Sequence, residues 1–194
     1  MAKFHDWIEK WIQWLQSYVL RFWYAPLLGA LALIDHFVLI IPTDGLLVTA
    51  VIASPKHWFR NFLWVTLGSV AGASLLAALI QSFGMPFLEW FSPGIHDSAY
   101  WRLTDSWVDL YGLWVLLAVA ALPVFQHPAI AIAALADLPL GEITLYILGG
   151  RILKYGVLSW LASHAPKVLL RIKSIQKEIK EVADIKGHKA SESK

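Results

Sequence analysis

Cysteine is absent from the chain, which excludes disulfides and thiolate metal sites and leaves the redox compartment open. Charge is scarce too. Asp, Glu, Lys and Arg make up 15% of residues, against about 25% in soluble domains, so the chain lacks the polar surface of a water-soluble globule. The net charge of +2 is too small to point to nucleic acid, and no polar segment interleaves basic residues with aromatics. Residues 1–20 hold no uninterrupted apolar core followed by small residues, so no cleavable signal peptide is read there. The histidines are scattered, and neither HExxH nor GxSxG occurs, which removes the common layouts for zinc and serine hydrolysis. What remains is apolar: 58% hydrophobic residues, 11 of them Trp, and a mean hydropathy of +0.57. An all-α integral membrane protein is the expectation.

The stretch from Asp35 to Gly45 stands out within an apolar run over 22–53. An ionisable group at bilayer depth costs roughly 2.5–3.5 kcal/mol even on the mildest insertion scale. This stretch carries Asp35 and Asp44, and Pro42 removes a backbone donor that lipid cannot replace. Irregular backbone survives at that depth only where protein encloses it or a wet cavity adjoins it. A broken, re-entrant element with both carboxylates facing inward is expected; the competing reading is a helix kink with Asp35 at the membrane surface.

Along the chain, residues 1–21 read as an interfacial amphipathic helix, because Phe4, Trp7, Ile8, Trp11, Ile12, Trp14, Leu15 and Tyr18 recur at helical spacing. A transmembrane domain is expected over 22–163. Its first repeat, 22–81, contains the broken hairpin and a turn at Ser54-Pro55-Lys56-His57 with cytoplasmic character. The uncharged helix over 62–80 follows, with Gly68, Ser69, Gly72, Ala73 and Ser74 on a small-residue stripe. The connection 82–109 carries Glu89, Asp97, Asp105 and Asp109 against a lone Arg102, which places it outside. The second repeat, 110–163, is broken at Pro123, Gln126, His127 and Pro128 and ends in a span over 140–162 that holds Arg151 and Lys154. Residues 164–194 form a basic cytoplasmic segment with apolar residues at Val168, Ile172, Ile175, Ile179 and Val182. That spacing suits an interfacial helix or a short coiled coil through which the chain forms a homo-oligomer.

The two broken segments are related. Pro42 recurs as Pro123, and Leu67-Gly68-Ser69 recurs as Leu148-Gly149-Gly150, at one and the same offset. If each hairpin enters and leaves on one side, only the helix between them crosses, and the second copy is inverted. Inverted repeats with discontinuous elements are a pattern of secondary transporters.

The residues Ile41-Pro42-Thr43-Asp44, Ala53-Ser54-Pro55, Phe59-Arg60, Thr66-Leu67-Gly68-Ser69-Val70-Ala71-Gly72, Leu122-Pro123 and Gly150-Arg151-Ile152-Leu153-Lys154-Tyr155 together resemble the DedA or VTT-domain family, above all its small YqaA-like branch, over residues 25–163. The resemblance implies a multi-pass protein of the bacterial inner membrane, with both termini cytoplasmic and two facing re-entrant hairpins. It also implies movement of phospholipid or polyprenyl phosphate between leaflets, often driven by the proton motive force. The family's acidic hairpin residues match Asp35 and Asp44, and its glycine-arginine pair matches Gly150-Arg151. Where the larger bacterial branch has arginines flanking the second hairpin proline, this chain has Ala120 and Gln126, and His127 stands where the YqaA-like branch tends to have lysine.

Asp35, Asp44, Gln126, His127 and Arg151 are thus the candidate substrate or proton pathway, with Pro42, Pro123 and Pro128 as the breakers that shape it. Arg151 is expected to pair with one of the two carboxylates or to bind lipid phosphate. His127 is expected either to titrate or to cap a free backbone carbonyl. No metal or cofactor is expected, and membrane lipids are the expected partners. The alternatives are a non-transporting membrane scaffold and, more remotely, a membrane-embedded enzyme.

Overall fold

A computed structural model describes Tyr18 and residues 21–38, 42–91, 93–122 and 126–164. Among them the fold is all-helical, with seven α-helices and no strand. They are α1 (Tyr24–Val38), α2 (Thr43–Ala53), α3 (Trp58–Phe91), α4 (Ala99–Tyr111), α5 (Trp114–Ala121), α6 (His127–Leu135) and α7 (Leu140–His164). Nearly all of the amphipathic segment expected over 1–21, the basic segment beyond His164 through which a homo-oligomer is expected, and Pro123 lie outside the described residues.

Proline and glycine set the boundaries. Helix α1 is described as far as Val38, and Pro42 opens the next described stretch. Helix α2 starts at Thr43, and the Pro42 carbonyl accepts the Leu46 N–H at 2.9 Å. Helix α6 carries Pro128 in its first turn, where the missing N–H removes no helical bond. The long helix α3 runs past Ile80 and breaks at Gly84, whose φ of 66° lies in the left-handed region, with Pro86 following. The connection expected over 82–109 is therefore largely helical. It contains the end of α3, a 3-10 turn over Ile95–Asp97, and α4, whose N-terminus is capped by Ser98 Oγ accepting from the Trp101 N–H at 3.1 Å.

Along the chain, one order of elements occurs twice. A helix, a proline-marked break, a short buried helix and then a long glycine-bearing helix appear as α1, α2 and α3, and again as α5, α6 and α7. Of the described helices, the stretch Pro55–Trp90 is the one long and apolar enough to cross a membrane. Its unbroken part, residues 58–83, is about 39 Å long at 1.5 Å per residue, more than the roughly 30 Å of a hydrocarbon core. Helix α7 has the length, but Glu142, Arg151 and Lys154 lower its apolar character.

The chain divides into two compact units. The first comprises residues 1–31, 40–65 and 155–194, and the described part of its core is built from Tyr24, Leu28, Leu46, Leu47, Val51 and Tyr155. In it Gly29 permits contact between backbones: a Cβ there would stand 2.6 Å from the Trp64 carbonyl oxygen. The second unit comprises residues 32–39 and 66–154 and is centred on Leu76, Ile80, Leu116, Ile130, Ile143 and Ile147. Here α4 packs on α5 and α6. A Cβ on Gly150 would meet the Leu117 carbonyl oxygen at 2.5 Å and the Ala120 Cβ at 2.7 Å, so α7 and α5 approach backbone to backbone. Two polar contacts brace the same unit: Ser74 Oγ to Thr144 Oγ1 at 2.8 Å, and Gln81 Nε2 donating to the Leu138 carbonyl at 2.7 Å.

Candidate functional site

The second unit gathers a polar cluster in otherwise apolar surroundings. At its centre is His36, in the last turn of α1 and only 2% exposed. Its Nδ1 lies 3.0 Å from the carbonyl oxygen of Ala32, one helical turn back. A carbonyl can only accept, so Nδ1 carries the proton and the Nε2 lone pair faces away from the helix. Two donors meet that lone pair: Gln126 Nε2 at 3.0 Å and Arg151 Nη2 at 3.4 Å. One neutral tautomer therefore satisfies all three contacts.

The backbone of His36 is engaged as well. Its carbonyl lies in the last described turn of α1. His127 Nε2 donates to it at 3.2 Å, and the two imidazole centroids stand 5.9 Å apart. The carbonyl-capping role that the sequence allows for His127 is the contact found. His127 is the first residue of α6 and Gln126 precedes it, so the break before Pro128 aims both side chains at the end of α1. Arg151, 4% exposed, arrives from the middle of α7, directly after the close approach at Gly150.

Helix α3 backs the ring. A Cβ on Gly72 would lie 2.6 Å from the Leu33 carbonyl oxygen and 3.0 Å from His36 Nδ1, so bare backbone is required there. The small-residue stripe legible in the sequence thus acts, at Gly72, to seat the imidazole.

Of the residues expected at the site, Gln126, His127 and Arg151 come together, and Asp35 is half-buried one position before His36. Asp44, 8% exposed, belongs to the first unit. It sits in the first turn of α2, where the helix dipole favours a carboxylate. Pro42 precedes that turn, and Pro128 is buried in the first turn of α6.

His36 is not among the residues expected at the site, although it lies in the very stretch singled out from the sequence. The rule that marks Asp35 and Asp44, that ionisable groups in an apolar run are functional candidates, applies equally to histidine. That was the signal by which it could have been found.

Among the described residues no group of three or more His, Asp or Glu side chains is arranged to hold a metal ion. The hydroxyl–imidazole contact of Ser54 Oγ with His57 Nδ1, at 2.7 Å, spans a single 3-10 turn and closes that turn. The chemistry available to the His36 cluster is recognition and proton or charge relay: a buried guanidinium, a primary amide and two imidazoles converge on one another. Compared with protein-family models, curated proteins and solved structures, the chain finds no match.

Proposed function

We propose that the protein is a membrane lipid transporter of the DedA or VTT type, moving phospholipid or polyprenyl phosphate between leaflets by means of two inverted repeats with re-entrant broken helices. The observation that carries this reading is the cluster of buried His36, His127 and Arg151 with half-buried Gln126, in which the last turn of α1 and the start of α6 meet the middle of α7. A purely structural apolar bundle would be at least as stable with packed hydrophobic side chains in these places, because a buried charge and its partners recover their desolvation cost incompletely.

Three further features support the reading. The doubled order of elements, each with a proline at its break, fits a duplicated hairpin-and-helix unit. Large apolar side chains of α3 and α7 point outward, Leu67 at 51% and Leu153 at 56% exposed among them, as suits a surface facing lipid. Arg151 supplies a guanidinium for a lipid phosphate. The setting is the inner membrane of a bacterium, with both termini cytoplasmic.

The test is reconstitution of the full chain into vesicles of phosphatidylethanolamine and phosphatidylglycerol carrying a fluorescent lipid, with and without a pH gradient. Transport predicts quenching by an impermeant reductant beyond the outer-leaflet fraction. Exchange no faster than in protein-free vesicles, together with a stable protein partner, would favour a scaffold instead.

A further inference from the structure

We infer that His36 is the positioning residue of this site, a neutral hydrogen-bond acceptor that holds Arg151 and Gln126 in place, and not a group that must itself carry a proton. The inference rests on the transport reading for its activity assay and on geometry for its substance. The Ala32 carbonyl takes the Nδ1 proton, so the ring offers one lone pair, at Nε2, and both Gln126 and Arg151 present donors to it. Gly72 leaves room for the imidazole against the backbone of α3, since a Cβ there would stand 2.6 Å from the Leu33 carbonyl oxygen and 3.0 Å from His36 Nδ1. The charged or titratable groups acting on it are Arg151 and Lys154 of α7 and His127 of α6, with Asp35 adjacent in the chain.

A guanidinium inside apolar protein has many rotamers and one productive direction. An acceptor fixed on a neighbouring helix selects that direction, as partners in the outer shell orient ligands at metal sites. His36 never needs to touch the lipid to do this. Its role differs from that of Asp35 and Asp44, whose charge is the property at issue.

Two substitutions separate an acceptor from a proton carrier. His36→Gln keeps an acceptor at about the reach of Nε2 and does not titrate; His36→Leu keeps bulk and loses the acceptor. Both are assayed as full-length protein in the vesicles described above across a range of pH. In parallel, the tautomer is read by 15N NMR of the histidine-labelled chain in detergent micelles.

The expected result is that His36→Leu loses about ten-fold or more of the exchange rate, the range typical for loss of an orienting partner. His36→Gln keeps most of the rate and the wild-type pH profile. The NMR signal should be that of a neutral Nδ1–H ring whose Nε2 resonance moves on Gln126→Ala.

Wild-type rates in a folded His36→Leu protein would overturn the positioning role. Equal loss in folded His36→Gln would overturn the neutral-acceptor assignment and make a titrating ring necessary. If His36→Leu does not fold, His36→Met takes its place. If the wild-type protein moves no lipid, the transport reading fails and the NMR arm alone decides: an Nε2–H or doubly protonated ring, or an Nε2 resonance indifferent to Gln126→Ala, overturns the inference.

Discussion

At the scale of single residues, two substitutions separate structural from functional polarity. His127 satisfies the His36 carbonyl, so His127→Phe should strand a buried acceptor and lower stability by about 1–3 kcal/mol. Thermal unfolding in detergent measures that loss directly. Asp44 is the opposite case. It is a buried carboxylate in the first turn of a helix whose remaining side chains, apart from Thr43 and Thr49, are apolar, and under the transport reading it is a functional candidate. Asp44→Asn should therefore abolish lipid exchange while leaving the melting temperature nearly unchanged; an Asp44→Asn protein with normal exchange would make the residue structural. The sequence announces Asp44, His127 and Arg151 because charge or a ring nitrogen in an apolar run is conspicuous by itself. It hides His36, since a histidine beside an aspartate draws less notice, and its importance comes from Gln126 and Arg151, far away in the chain.

At the scale of elements, glycine positions are where sequence and fold agree most closely. Gly72 belongs to the small-residue stripe and Gly150 to the recurrence of its glycine motif in the second repeat, and a methyl group on either would stand 2.5–2.6 Å from a carbonyl oxygen. Main chain cannot yield as a side chain can, so Gly72→Ala and Gly150→Ala should each cost about 1–3 kcal/mol by overpacking. Gly72→Ala should in addition reduce lipid exchange by displacing the imidazole, whereas Gly94→Ala, at an open position with φ of 71°, should reduce stability alone. Melting curves and exchange rates on the same three proteins check both statements. The breaks at Pro42 and before Pro128 are also legible, because proline acts through its own ring and missing N–H. Helix α4 is less so. Its acidic residues and Arg102 dominate the reading of 82–109 as a polar connection, while the helical stripe of Trp101, Thr104 and Val108 that packs toward the core is short.

At the scale of the whole molecule, the expectation is a topology with 82–109 outside and the Lys56–Arg60 region inside. A single cysteine placed at exposed Asp97 tests it in a chain that has none of its own. An impermeant maleimide should label Asp97→Cys from outside intact cells and Lys56→Cys only after permeabilisation; the reverse pattern would refute the arrangement. All-helical character is legible from composition and periodicity, whereas the order in which the helices share their cores depends on long-range packing that no local pattern carries. The double use of His36 bears on motion. One residue holds α6 by its carbonyl and α7 by its ring, while its own Nδ1 proton closes a turn of α1. Turning or unwinding the end of α1 would therefore disturb its ties to both neighbours together.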